Sequence, residues 1–322
     1  MQVSFAGSPD RVEARLVPEA GYELDAFESS GLPRRPGLAL ARALVTAARA
    51  PAECLAILRR RRPDVVLGGG GYVSGPMVVA AGLSRTPPAL LEADAELGLA
   101  NRLAAPFARR VFLALPITGR EGPKYRVTGR PVPRRSRAVP AAEARRRFEL
   151  PTEGPVLLVL GGSQGARRLN ELALERWGDA GPAVLHLCGE RDYPALRDRV
   201  SRPDYRLVAF TDEIGAAYSA ADLALARAGG SVWELAAAGL PAVLVPYPHA
   251  TADHQAKNAD FFEAAGGAVA VAESELERVP KLVEELLADA GRRRRMREAM
   301  QNVARPEAAD VIAEELIELA GT

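Results

Sequence analysis

Short apolar runs, many of them β-branched, alternate with longer amphipathic stretches along almost the whole chain, and the rhythm occurs twice. That alternation restricts the chain to parallel sheets covered by helices, because a parallel strand needs a crossover and the crossover is usually helical. The first half predicts strands at Val3–Phe5, Tyr22–Ala26, Val65–Leu67, Ala89–Leu91, Val111–Leu113 and Arg126–Val127. Helical stretches at Leu38–Ala50, Ala52–Arg60 and Leu97–Phe107 separate them. The second half predicts strands at Val156–Leu160, Ala183–Leu187, Leu207–Phe210, Leu223–Ala226, Ala242–Val245 and Ala268–Val271. Its helices include Arg167–Trp177, Ser231–Ala238 and Ala256–Ala265.

A length of 322 residues exceeds what one core usually serves, so two domains are expected. The boundary falls in TGRPVPRRSRAVP, residues 128–140, where three prolines and four arginines leave no strand or helix period. The expected domains are residues 1–130, residues 131–305, and a terminal helix over 306–322. That helix carries an apolar stripe at Ala309, Ile312, Leu316 and Leu319, predicting that it docks back on the N-terminal domain.

The formal charge of +1 offers no global attraction to nucleic acid, and none is expected as a partner. Cys54 and Cys188 are far apart and lack ligand spacing, which argues against a disulfide framework or zinc site and fits a reducing compartment. No apolar run is long enough to span a bilayer, and the first ten residues do not read as a signal peptide.

Three segments carry chemistry. In residues 64–82, DVVLGGGGYVSGPMVVAAG, a short strand runs into four glycines and then a helix start near Ser74. Such a loop brings bare amides to an anion, although it also serves as an ordinary strand–helix turn. Residues 155–172, PVLLVLGGSQGARRLNEL, repeat the design. Gly161, Gly162 and Gly165 surround Ser163 and Gln164, whose side chains can bond phosphate or sugar oxygens. The dinucleotide spacing is absent and no acidic residue closes the next strand, so a nicotinamide dehydrogenase is disfavoured. Two glycine loops in two similar halves suggest two ligands meeting between domains.

The longest segment, residues 222–262, leads from a strand through Arg227-Ala228-Gly229-Gly230-Ser231 into a helix whose amides suit a diphosphate. Glu234 stands one turn in, where a carboxylate can take hydrogen bonds from vicinal hydroxyls or simply complement the helix dipole. His249, Asp253, His254, Gln255 and Asn258 follow on a loop and first turn. The histidines lack ligand spacing and there is no Asp-X-Asp, so neither metal nor cofactor is expected, and helix amides and basic groups must hold the diphosphate.

Taken together, GGGGYVSGP, EADAELGLANRLA, GGSQGARRLN and ARAGGSVWELAAAGLPAVLVPYPHATADHQAKN resemble the MurG family over nearly the whole chain. These are the transferases that convert lipid I to lipid II in peptidoglycan synthesis. The resemblance implies the GT-B architecture, two Rossmann-like doubly wound parallel-sheet domains facing a cleft, and inverting, metal-independent transfer. The expected donor is UDP-N-acetylglucosamine, and the acceptor is the muramyl 4-hydroxyl of undecaprenyl-diphosphate-linked MurNAc-pentapeptide. It implies Ser163, Gln164 and Gly165 against the donor, with Phe210 and Thr211 beside the uracil. Gly229, Gly230 and Ser231 would face the diphosphate, Glu234 the ribose, and Gln255 and Asn258 the sugar. Gly70, Gly71, Tyr72 and Ser74 would face the acceptor's lipid diphosphate.

The chain departs from the family pattern. It opens at the family's second strand, without the first strand, the Gly-Gly-Thr-Gly-Gly-His loop and the first helix. This predicts an N-terminal sheet lacking a central strand, lower stability and weaker catalysis. The His-Glu-Gln-Asn segment reads Leu91-Glu92-Ala93-Asp94, and the Asn-Pro-Val-Arg hinge reads Arg130-Pro131-Val132-Pro133. The GGSVWE turn is one residue shorter than the commoner form. Asp94, Glu92 and His249 are the remaining candidates for the general base. A lipid-linked acceptor implies peripheral binding to an anionic surface at the cytoplasmic face of the cell membrane. Leu38–Arg62, with its leucines and arginines, is either the docking surface or an ordinary amphipathic helix. The alternatives are an impaired homologue that binds UDP-sugars without transfer, or a GT-B enzyme for another glycolipid.

Overall fold

A computed structural model describes residues 2–29, 37–162, 166–250 and 253–321, apart from the side chains of 38–44 and 47. The chain divides into two compact units, one comprising Met1–Arg130 and Glu307–Thr322, the other Pro131–Pro306.

The first unit contains β1 (Ser4–Gly7), α1 (Glu13–Glu19), β2 (Glu23–Ala26), α2 (Leu38–Arg61), β3 (Val66–Gly68) and α3 (Gly71–Leu83). It continues with β4 (Pro88–Glu92), α4 (Leu99–Ala104), β5 (Arg110–Leu113) and β6 (Tyr125–Val127). Strands β3, β4, β5 and β6 form one parallel sheet in that order, and β1 pairs with β2 in a second. No ladder joins β1 to β3 among the described residues. The two sheets share a core instead: Ala6 of β1 and Val66 of β3 pack on Cys54, Ile57 and Leu58 of α2 and Met77, Ala80 and Ala81 of α3.

Helix α2 runs unbroken through Pro51, where the sequence predicts two helices. Proline removes one internal hydrogen bond, yet the apolar turn beyond it buries Cys54, Ile57 and Leu58, and that burial outweighs the lost bond. The same burial turns Leu55 and Leu58 inward, leaving Val45 as the exposed large apolar residue of this helix among those described.

The second unit begins with the proline-rich connector and α5 (Ala141–Arg147). Its remaining elements are β7 (Val156–Leu160), α6 (Arg167–Trp177), β8 (Ala183–Leu187), α7 (Tyr193–Leu196), β9 (Tyr205–Val208), α8 (Ile214–Ala220) and β10 (Leu223–Ala226). They are followed by α9 (Ser231–Ala237), β11 (Ala242–Leu244), α10 (His254–Ala264), β12 (Ala268–Ala270), α11 (Val279–Ala288) and α12 (Ala290–Val303). The six strands form one parallel sheet in the order β12-β11-β10-β7-β8-β9. Every residue of β7, β8 and β10 is buried, as expected for parallel strands covered on both faces. Each leucine among them contributes about 1.5–3 kcal/mol by leaving water.

The last helix, α13 (Ala308–Ala320), belongs to the first unit. Ile312 and Leu319 close over Ala89 and Phe112 of the four-stranded sheet, with Leu316 partly buried beside them, and Arg110 pairs with Glu315 at 2.9 Å. Ala308 is buried in place of Ala309, a shift of one position in the expected stripe.

Within the second unit the connector is held tightly. A side chain on Gly215 of α8 would lie 2.1 Å from the carbonyl oxygen of Arg137 and 2.8 Å from that of Arg135. The Val139 amide also donates to Ser219 Oγ at 3.1 Å. The segment predicted to lack structure thus includes a short 3-10 turn, Arg134–Ser136, seated on α8.

Candidate donor and acceptor sites

The chain order reverses between β7 and β10, with β8 and β9 on one side and β11 and β12 on the other. At such a switch point the loops leaving adjacent strands diverge and open a crevice at the carboxyl ends. A cavity of about 930 Å³ lies there, wholly within the second unit. Each strand end contributes. Gly161 and Gly162 follow β7, Gly189 and Arg191 follow β8, and Phe210 and Thr211 follow β9. Gly229, Gly230, Ser231 and Glu234 follow β10, and Tyr247 and Gln255 follow β11.

Five arginines (135, 167, 168, 191 and 227) and two glutamates (234 and 273) line the cavity, so its field favours an anion. Arg227 is mostly spoken for: it pairs with Glu273, donates to the Val245 and Pro246 carbonyls at 3.2 Å, and lies over the Tyr247 ring. It therefore ties the end of β11 to the turn after β10. The arginine Arg191 holds the Asp192 carboxyl below its ordinary range by direct hydrogen bonding. Glu234 accepts from Ser136 Oγ at 2.6 Å and from the Tyr218 hydroxyl at 3.0 Å, both on the same oxygen, Oε2.

Phe210, Thr211, Gly229, Gly230, Ser231, Glu234 and Gln255 thus line one cavity. Gln255 Oε1 accepts from the Tyr247 amide at 2.9 Å, which turns its amide nitrogen toward Gly229. Ser163, Gln164 and Gly165 lie outside the described residues. Asn258, expected to read sugar hydroxyls, is instead buried: its Nδ2 donates to the Ala228 carbonyl at 3.1 Å, supporting the glycine turn from beneath. The reason is its place on α10, whose inner face packs on that turn. His249 is exposed, stands edge-on to Tyr247, and is not among the cavity residues.

The acceptor-side candidates belong to the first unit. Gly70 and Gly71 have φ of +93° and +72°, the left-handed backbone needed to turn β3 into α3. Tyr72 is exposed, whereas the Ser74 hydroxyl is buried with no hydrogen-bond partner among the described residues. Glu92, expected as a general-base candidate, is instead tied into its own loop. Its Oε2 accepts from the Gly98 amide at 2.8 Å and Asn101 Nδ2 at 2.9 Å, and its Oε1 accepts from the Asp94 amide at 3.2 Å. A carboxylate at the end of a buried strand must be hydrogen-bonded, and these donors occupy it as the frame of the 93–98 loop. Asp94, on that loop, is half-buried.

Ser136 and Tyr218 are the residues that sequence reasoning misses. Ser136 lies 98 positions from Glu234 and Tyr218 lies 16 away, and no local motif links them. Among the described residues no group of three or more His, Cys, Asp or Glu is placed to hold a metal ion.

Comparison with known proteins agrees with this layout. Residues 1–113 match the glycosyltransferase family 28 N-terminal domain, and residues 156–314 match its C-terminal domain. The UDP-N-acetylglucosamine--N-acetylmuramyl-(pentapeptide) pyrophosphoryl-undecaprenol N-acetylglucosamine transferase of Salinibacter ruber is 40% identical, across 99% of this chain and 89% of the relative. The protein of the same description from Acidithiobacillus ferrooxidans is 41% identical, across 100% and 91%. The crystal structure of Acinetobacter baumannii MurG superposes with a TM-score of 0.78 at 26% identity, covering 98% of this chain and 91% of that one. Two α/β units, each built on parallel strands, together with that likeness give the GT-B fold. With this identity over nearly its full length, the chain belongs to the MurG family of glycosyltransferase family 28.

Proposed function

We propose that this protein transfers N-acetylglucosamine from UDP-N-acetylglucosamine to the muramyl 4-hydroxyl of a lipid-linked muramyl-pentapeptide, forming lipid II with inversion. The observation that carries the reading is the arginine-lined cavity at the carboxyl ends of the six-stranded sheet, where the Gly229–Ser231 turn and Glu234 stand together. Amides and guanidinium groups held in place before reaction stabilise a leaving diphosphate without rearrangement, which is usually the largest catalytic contribution. Titration calorimetry in EDTA is expected to show UDP-N-acetylglucosamine bound in preference to other UDP-sugars. A folded sample that binds neither it nor UDP would refute the reading.

Asp94 and His249 remain as candidates for the general base, since Glu92 is committed to its loop. Asp94→Asn is expected to lower kcat by about 100-fold or more with UDP affinity unchanged. A turnover close to that of the unmodified protein would remove Asp94 from the reaction.

A lipid acceptor requires a membrane-facing surface at the cytoplasmic side. In the first unit Leu83 is 65% exposed, Leu103 63% and Leu99 52%, with Phe107 also exposed beside them in the chain and Arg85, Arg102 and Arg109 exposed in the same segments. Apolar groups flanked by arginines suit an anionic bilayer surface, and among the described residues no helix is long and apolar enough to cross one. Cosedimentation with vesicles rich in anionic phospholipid should weaken when Leu99 and Leu103 are both changed to Ser. Equal retention of both proteins would place the contact elsewhere.

A further inference from the structure

Glu234 stands in the first turn of α9 and borders the cavity, and both hydrogen bonds of its carboxylate enter a single oxygen. Ser136 Oγ donates to Oε2 at 2.6 Å from the connector, and the Tyr218 hydroxyl donates to the same atom at 3.0 Å from α8. Both donors are 2% exposed, and Ser136 is not among the cavity residues, so it approaches the carboxylate from behind. A serine or tyrosine hydroxyl has one proton to give, and each gives it here. The carboxylate is therefore clamped by one oxygen, and Oε1 has no described partner.

The clamp is built from rigid parts. Gly215 lets the carbonyls of Arg135 and Arg137 approach α8 to distances that any side chain would block. Ser219 Oγ donates to the Gly215 carbonyl at 2.8 Å and accepts the Val139 amide at 3.1 Å, fixing the connector on both sides of Ser136. Burial and the neighbouring Glu234 raise the Tyr218 phenol above its ordinary range, so it remains a proton donor at any pH the protein meets. A free carboxylate rotates about its last bond and loses entropy when a ligand stops it. One already held by two buried hydroxyls has met that cost in folding.

We propose that Ser136 and Tyr218 are positioning residues of the ribose subsite: by occupying Oε2 of Glu234 they aim Oε1 at the nucleotide's ribose hydroxyls and set its preference for ribose over deoxyribose. The inference rests on the proposed use of this cavity for a uridine nucleotide. It places a specificity element for the donor in the segment that leads out of the first unit, on a residue that touches no substrate.

The test is a set of dissociation constants for UDP, 2′-deoxy-UDP and 3′-deoxy-UDP, measured by calorimetry on the full chain and on Tyr218→Phe, Ser136→Ala and Glu234→Gln. The unmodified protein should bind UDP at least about tenfold more tightly than one of the deoxy analogues, the span of a hydrogen bond to a charged group. Tyr218→Phe and Ser136→Ala should each weaken UDP several-fold and leave that analogue unchanged, so the ratio collapses toward that of Glu234→Gln. A general loosening of the fold would instead weaken all three ligands together. A ribose preference that is abolished by Glu234→Gln but retained in full by both hydroxyl variants overturns the inference and leaves the ribose role of Glu234 standing. An unmodified protein that binds UDP without any ribose preference removes the ribose role itself. No binding of UDP at all removes the nucleotide reading. Either hydroxyl variant suffices, so misfolding of one, read by circular dichroism, leaves the other to decide.

Discussion

Between pH 7 and pH 4.5 the second unit is expected to lose stability through a single side chain, His186. This histidine on β8 is fully buried, and burial brings its pKa down from 6.5 to about 3. In the unfolded chain it takes up a proton below 6.5, whereas in the folded unit it refuses one until about 3. The unfolded state therefore binds more protons across that interval, and stability falls as pH falls. Its contribution is complete above 6.5 and is lost progressively on acidification, the loss reaching about 3 kcal/mol at pH 4.5 as an upper bound.

The neutral ring is specified by its partners. Asn170 Nδ2 donates to the Cys188 carbonyl at 2.9 Å and to Asp192 Oδ2 at 3.0 Å, which turns Asn170 Oδ1 toward His186 Nε2 at 3.0 Å. Nε2 must then carry the proton, and Nδ1 accepts from the Tyr205 hydroxyl at 2.8 Å. A second proton on Nδ1 would face that hydroxyl proton. Urea denaturation of the unmodified chain and of His186→Gln at several pH values checks this. The variant is expected to lose about 1–3 kcal/mol at pH 7 from imperfect pairing and to show a much flatter acid limb. Asp192 and Asp204 are held below the ordinary carboxylate range by Arg191 and Arg202, so their own losses fall below pH 4 and outside the interval measured. An acid limb of the same slope in both proteins would show that His186 is not its source.

Glu92→Ala is expected to destabilise the first unit by about 3–5 kcal/mol while UDP affinity stays the same. Glu92 is 6% exposed and takes the Asp94 and Gly98 amides and the Asn101 side chain. Hydrogen bonds to a charged group contribute about 1.5–3 kcal/mol each, and the sum is not additive because the freed loop can meet water. Asn101 also donates to the Leu91 carbonyl at 3.1 Å, so it keeps one partner when Glu92 is lost. Guanidinium unfolding followed by a probe in the first unit reads the loss, and UDP titration reads the intact cavity of the second. A general base would behave differently, with kcat falling in Glu92→Gln and the unfolding curve unmoved. That pattern would return Glu92 to the reaction.

Periodicity was enough to place the strands, because a buried parallel strand is a short apolar run and little else produces one in this setting. Val156–Leu160, Ala183–Leu187 and Leu223–Ala226 match the observed strands residue for residue. The glycine turn before Ser231 and the placement of Glu234 and Gln255 just after strand ends were legible for a related reason, whereas Phe210 and Thr211 came from the family resemblance. Parallel topology puts every strand's carboxyl end on one edge, so residues just after the strands converge. Helix α2 was less legible, since Pro51 is a local signal for a break and the burial that overrides it is a tertiary quantity.

The sequence by itself determined the parallel α/β layering and the family, because each depends on local pattern or ordered motifs. Tertiary structure alone decided what the polar side chains do. Glu92 and Asn258 look like ligand-facing groups in the sequence and are buried supports in the fold. Ser136 and Tyr218 carry no motif, yet both reach Glu234. The physical reason is that a hydrogen bond is settled within about 3 Å, and residues far apart in the chain come that close only after the helices and strands have packed.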